Sequence, residues 1–175
     1  MFSATNKVTT TKTTSSVNVL TITVDDNLIL YFDGVQQTNL PNSNVANTPD
    51  TTSLPPTVNT IAVQANNQQN YGGILASDTN GHVVTNSAWK CTPNYYNGWS
   101  NKVYDDSFWP MATEFVSNDG SGSWPIISGI RTEAKWIWSP NNLTPGGDNT
   151  LYCRYVVGLM SNPSLPPFIT TSKRK

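Results

Sequence analysis

The chain has one histidine, His82, and among its 11 Asp and Glu residues two carboxylate pairs, Asp25-Asp26 and Asp105-Asp106, that could do acid–base work. A hydrolytic triad needs a histidine that is oriented by an acid and touches a nucleophile. No Gly-x-Ser-x-Gly elbow supplies that nucleophile, and His82 follows Asn80-Gly81 in a turn entering a strand, so a structural or surface role is expected for it. Paired carboxylates hydrolyse glycosides when they flank a sugar-sized cleft. These pairs are sequence neighbours, which on a strand point to opposite faces, and aspartates beside turns commonly accept from nearby backbone N–H groups instead. The expected function is therefore not enzymatic.

Binding chemistry is better represented. The segment Asn94-Tyr95-Tyr96-Asn97-Gly98-Trp99 sets aromatic rings among amides. A pyranose stacks its apolar C–H face on such rings while amides take its hydroxyls, and because the segment is a loop its rings are not committed to a core. Tyr95, Tyr96 and Trp99 are the candidate carbohydrate-binding residues. Trp109, Trp124, Trp136 and Trp138 are expected to pack inside, with their indole N–H groups bonded there.

Composition narrows the partners. Charged residues make up 12% of the chain and the net charge is −1, with Asn, Thr, Ser and Gln supplying the polarity. Nucleic acid requires clustered Lys and Arg, and the one basic run, Lys173-Arg174-Lys175, closes the sequence. No nucleic-acid partner is expected. No apolar stretch reaches the roughly 18 residues that span a bilayer, and residues 1–7 lack a signal-peptide core. Cys91 and Cys153 match no metal spacing. They form one disulfide in an oxidising compartment or two buried thiols in a reducing one. Asn142-Leu143-Thr144 fits the glycosylation acceptor pattern.

The elements that must position these residues are strands. Val17, Val19, Ile22 and Val24 set a β-branched run, Leu28 to Phe32 gives a second strand, and Asp33-Gly34 is a turn dipeptide before a return at Val35 to Gln37. Residues 38–57, with four prolines, are expected to be loop. Asn59 to Ala65 alternates, with Ile61, Val63 and Ala65 toward the core. Further strands are expected at 73–77, 82–85, 135–138 and 151–157, and one helical turn at 105–111. Residues 1–16 form a Thr-rich arm, 17–157 one domain, and 158–175 an extended Pro-bearing tail. Many short strands between Pro- and Gly-bearing turns predict an all-β jelly-roll sandwich.

Five segments carry a resemblance: Val24-Asp25-Asp26-Asn27 through Asp33-Gly34, Asn59 to Ala65, Trp99 through Tyr104-Asp105-Asp106-Ser107-Phe108-Trp109-Pro110, Lys135-Trp136-Ile137-Trp138, and Tyr152-Cys153-Arg154-Tyr155. Together, over roughly residues 17–157, they resemble galactose-binding-like β-sandwich modules, including the accessory carbohydrate-binding domains attached to glycoside hydrolases. The Trp-Ile-Trp and aromatic-Arg strands follow the acidic pair here, whereas in many hydrolase-attached modules they precede it. The resemblance implies a jelly-roll fold, glycan contact and a structural Ca²⁺ held by loop oxygens, for which Asp25, Asp26, Asp33 and Asp106 are the candidates. No other cofactor is expected.

The chain is thus expected to be a non-enzymatic, glycan-contacting sandwich on a virion, as a minor capsid or surface protein, or on another extracellular assembly. Its tails would lie on neighbouring subunits, as extended arms do in capsids and filaments, and cell-surface glycans are a further expected partner. The alternative is a secreted lectin-like module of a larger protein, with Cys91 and Cys153 bridged.

Overall fold

Strand β1, Val19–Asp25, turns Leu20, Ile22 and Val24 into the interior, and β2, Asn27–Phe32, does the same with Leu28, Leu30 and Phe32. The computed structural model describes residues 17–45, 47–68, 71–122, 124–143 and 147–158; both tails and Thr144 lie outside the described residues. Asp33 and Gly34 join β2 to β3, Val35–Gln37, with φ of 49° and 88°. Positive φ at both central residues matches a turn to the twist of a hairpin. The Asp33 carboxylate accepts the N–H groups of Asn59 and Thr60, at 3.2 and 2.8 Å for Oδ1, and ties this turn to the start of the strand that follows.

The stretch expected to be loop contains a strand, β4, Asp50–Ser53, paired antiparallel with β1 from Val19↔Ser53 to Ile22↔Asp50. Pro49 and Pro55 flank it rather than interrupt it, and an edge strand rich in threonine needs one partner and little apolar surface. Next come β5, Thr60–Asn66, and β6, Gly73–Asp78, with Ile61, Val63 and Ala65 buried as their alternation predicts. Of the expected 82–85 strand only Val84 forms a bridge, to Ser77, while Thr85 donates to the Ala76 carbonyl at 3.0 Å and accepts from Lys135 at 2.9 Å. Two short strands unforeseen in the sequence follow, β7, Lys90–Thr92, and β8, Thr113–Ser117. No helical turn forms at 105–111. Instead the Asp105 carboxylate takes the N–H of Ser107 at 2.9 Å, and a 3-10 turn stands at Pro140–Leu143. The last strands are β9, Lys135–Trp138, and β10, Thr150–Val156.

The strands make two antiparallel five-stranded sheets, ordered β4-β1-β6-β9-β8 and β3-β2-β5-β10-β7. Leu20, Ile22 and Ile74 of the first share a buried cluster with Leu30, Val63 and Leu151 of the second, so the arrangement is sandwich-like with one core between the sheets. Burial of each such side chain stabilises the fold by about 1.5–3 kcal/mol before entropy is counted.

Each sheet also carries a covering loop on its outer face. Residues 118–134 lay Ile127, Ile130 and Ala134 on Leu75 and Trp136 of the first sheet. The loop is closed by Asn118, which is buried. Its Nδ2 donates to the carbonyls of Ile127 and Ile130, both at 2.9 Å, and its Oδ1 accepts the N–H of Ile127 at 2.7 Å. Asn118→Ala leaves three buried backbone groups without that partner and is expected to cost about 2–4 kcal/mol in urea unfolding. A loss within about 0.5 kcal/mol would show that water replaces the amide.

Candidate binding face

The outer face of the second sheet is covered by the loop between β7 and β8. Trp99 and Trp109 of this loop pack on Ala62 of β5, with Tyr31 of β2 and Tyr152 of β10 alongside. The loop is held from beneath by Arg154, which β10 directs outward and the loop buries to 1% exposure. Its guanidinium donates to the carbonyls of Trp99, of Asn101 at 3.0 Å and of Tyr104 at 3.3 Å, and pairs through Nε with Asp106 Oδ2 at 2.8 Å. The Tyr104 ring lies 5.3 Å from the guanidinium carbon. Lys90 of β7 reaches the other oxygen of Asp106 at 3.0 Å and its backbone carbonyl at 2.9 Å.

Burial raises the pKa of Asp106, but the hydrogen bonds from Arg154 and then Lys90, with their charges, outweigh it. The result is a value below the ordinary aspartate range. Asp105 also lies below that range, through its hydrogen bonds with Ser107. Asp106 is thus an ion-pair partner within the structure, and Asp105 closes a turn.

The rings proposed from sequence divide. Trp99 is only 4% exposed, stacked 6.4 Å from Trp109 and met edge-on by Tyr31 at 5.5 Å and Tyr152 at 5.0 Å. Its faces are occupied by protein rings, while its backbone carbonyl is held by Arg154. Tyr95 is 63% exposed and touches the body edge-on at Tyr152, 5.7 Å away. Tyr96 is half-buried and meets Phe108, itself 60% exposed, at 5.4 Å. Phe108, which the sequence places in the Asp-Asp-Ser-Phe-Trp-Pro run and not among the binding candidates, is exposed because no alternation governs that run. Tyr95, Tyr96 and Phe108 therefore form the accessible aromatic surface of this loop.

Trp109, Trp136 and Trp138 are buried as expected, whereas Trp124 is half-buried against the cluster of Leu75, Ile127 and Trp136. Trp138 donates to the carbonyl of Asp148 at 3.1 Å and Trp124 to Asp25 Oδ2 at 3.3 Å. The buried indole N–H groups of Trp109 and Trp136 have no partner. Ring contacts place them instead, Trp136 stacking on Trp124 at 4.7 Å.

Of the four aspartates considered as calcium ligands, Asp25 and Asp26 interact with each other, while Asp33 and Asp106 are engaged elsewhere. Asp33 caps Asn59 and Thr60, Asp106 is paired with cations, and Asp26 Oδ2 accepts the N–H of Gln68 at 2.7 Å. Asp25 has a pKa raised by burial, which the Trp124 bond opposes and the neighbouring Asp26 reinforces. Among the described residues no three His, Cys, Asp or Glu side chains are grouped to hold a metal. His82 is exposed at the rim of a cleft of about 680 Å³, and its carbonyl accepts the Tyr155 hydroxyl at 3.0 Å. Asp78, which shares the cleft, is buried, with its carboxylate engaged by Asn18 and by the N–H of Val83. Cys91 and Cys153 stand opposite one another in the β7–β10 register and are joined as a disulfide.

Over the described residues the fold is nearly all-β, two antiparallel five-stranded sheets with an aromatic loop anchored on one of them. Comparison with known proteins returned no matching family model, curated protein or solved structure.

Proposed function

We infer that the chain is a non-enzymatic, galactose-binding-like jelly-roll module that works in an extracellular setting and contacts glycans through the loop bearing Tyr95, Tyr96 and Phe108. The observation that carries this is the pairing of exposed rings with a rigid base: Tyr95 and Phe108 stand out from a loop whose backbone is fastened by Arg154 and Asp106. Rings fixed in this way bind without first losing loop entropy. Tyr95→Ala is expected to weaken a bound glycan about 10-fold or more while shifting stability by less than about 0.5 kcal/mol. Titration of the variant beside the parent checks this, and unchanged affinity would remove Tyr95 from the site.

Two settings were expected, a virion or similar assembly and a secreted lectin-like module. The Cys91–Cys153 bridge favours the second, since disulfides persist where the surroundings are oxidising. Intact mass of the native protein separates the two, a bridged pair with a processed terminus supporting secretion, and free thiols with Met1 retained supporting an assembly subunit made in the cytosol.

A further inference from the structure

Two Asn-Gly pairs occur in the chain, Asn80-Gly81 and Asn97-Gly98. In such a pair the backbone nitrogen of the glycine can attack the side-chain carbonyl carbon of the asparagine, since no Cβ on the glycine stands in the way. The C–N bond that forms closes a succinimide, and the side-chain nitrogen leaves as ammonia. Water then opens the ring at one carbonyl or the other. The products are aspartate and, with the main chain rerouted through the side chain, isoaspartate. For this the glycine nitrogen must be free to lose its proton, and the amide must be free to turn toward it.

The structure sets the two pairs apart. The Gly81 N–H donates to the carbonyl of Asp78 at 3.3 Å, and the Arg131 guanidinium carbon lies 3.3 Å from where a Cβ on Gly81 would stand. Asn97 is exposed, and among the described residues neither its amide nor the Gly98 N–H has a hydrogen-bond partner. It occupies the second place of a turn closed by the Trp99 N–H on the Tyr96 carbonyl at 3.1 Å, with Gly98 in the third at a φ of 73°. Positive φ at that place selects glycine, and a Cβ there would stand 3.1 Å from Asn101 Nδ2. The turn thus requires the residue that leaves Asn97 open to attack. We propose that Asn97 is a site of spontaneous deamidation, favoured over Asn80, at which the turn between Tyr96 and Trp99 passes to an aspartyl or isoaspartyl form. The isoaspartyl product lengthens the main chain by one carbon. Trp99 is held by Arg154 and by the rings of Tyr31 and Tyr152, so the displacement falls on Tyr95 and Tyr96. An effect on glycan contact rests on the function proposed for this loop; the conversion itself does not.

The test is incubation of the folded full chain in mildly alkaline buffer, sampled by peptide mass mapping, with isoaspartate counted by enzymatic methylation. Asn97 is expected to convert at least about 5-fold faster than Asn80, the factor that one retained hydrogen bond adds to a barrier. In urea, where both turns are lost, the two pairs are expected to convert at like rates. Asn97→Gln, whose side chain must close a larger ring, is expected to stop conversion at this position while Asn80 keeps its rate. The aged parent is expected to lose glycan affinity that the aged Asn97→Gln variant retains. No conversion at Asn97 in the folded chain, or folded rates for the two pairs that are equal or reversed, would overturn the proposal. Because mass and affinity are read separately, a parent that binds no glycan counts against the function of the loop and not against the conversion.

Discussion

Replacing Arg154 with methionine is expected to lower the unfolding free energy by about 3–5 kcal/mol, the range found when one partner of a buried ion pair is removed. Methionine fills much of the channel that the arginine stem occupies. It restores none of the donors to the carbonyls of Trp99, Asn101 and Tyr104. Asp106 would keep Lys90, whose ammonium is partly exposed, so the larger part of the loss falls on the loop backbone. Arg154→Lys should lie between, because an ammonium keeps the charge but lacks the planar fork that reaches several acceptors. Denaturant midpoints followed by tryptophan fluorescence measure both; a loss under about 1 kcal/mol for the methionine variant would mean that ring packing alone holds the loop.

The same cluster sets an acid limit. Asp106 titrates below its unfolded value, so its contribution is complete above the ordinary aspartate range and disappears as pH falls through the folded value. In Arg154→Met the acid end of the stability profile should flatten. An unchanged profile would place the pH dependence elsewhere.

Reduction of the Cys91–Cys153 bridge is the second large effect, expected at about 4 kcal/mol from the chain entropy restored to an unfolded loop of this length. The cysteines are 62 residues apart and link β7, a strand of three residues at the edge of its sheet, to β10. A Cys91→Ala, Cys153→Ala double variant should lose a similar amount. Urea unfolding with and without reductant, with thiols counted by mass, is the measurement. Equal midpoints would show that the paired strands hold β7 without the covalent link.

Where side chains alternate against a solvent face, the sequence states the strand. Leu28-Ile29-Leu30-Tyr31-Phe32 and the run from Thr60 to Ala65 place their inward residues by period two, and Asp33-Gly34 names its own turn. β4 was hidden because Asp50-Thr51-Thr52-Ser53 has no apolar residue to alternate, and its pairing with β1 is a property of the partner. β7 and β8 are too short for a period to register, and β7 is fixed by Cys153 and Arg154, which lie far along the chain. The candidate site was half legible for the same reason. Neighbouring aromatics at Tyr95, Tyr96 and Trp99 look alike in sequence, and the one that turns inward does so against Tyr31, Ala62 and Tyr152, which lie far along the chain.

The most direct test of glycan contact is an array screen of the folded full chain, with Tyr95→Ala and Phe108→Ala beside it and with Ca²⁺ present or chelated. Selective binding by the parent that falls away in both variants, while their unfolding curves stay with the parent's, is the predicted result. A well-folded parent that binds no glycan, or variants that bind as the parent does, would contradict the assignment of this face.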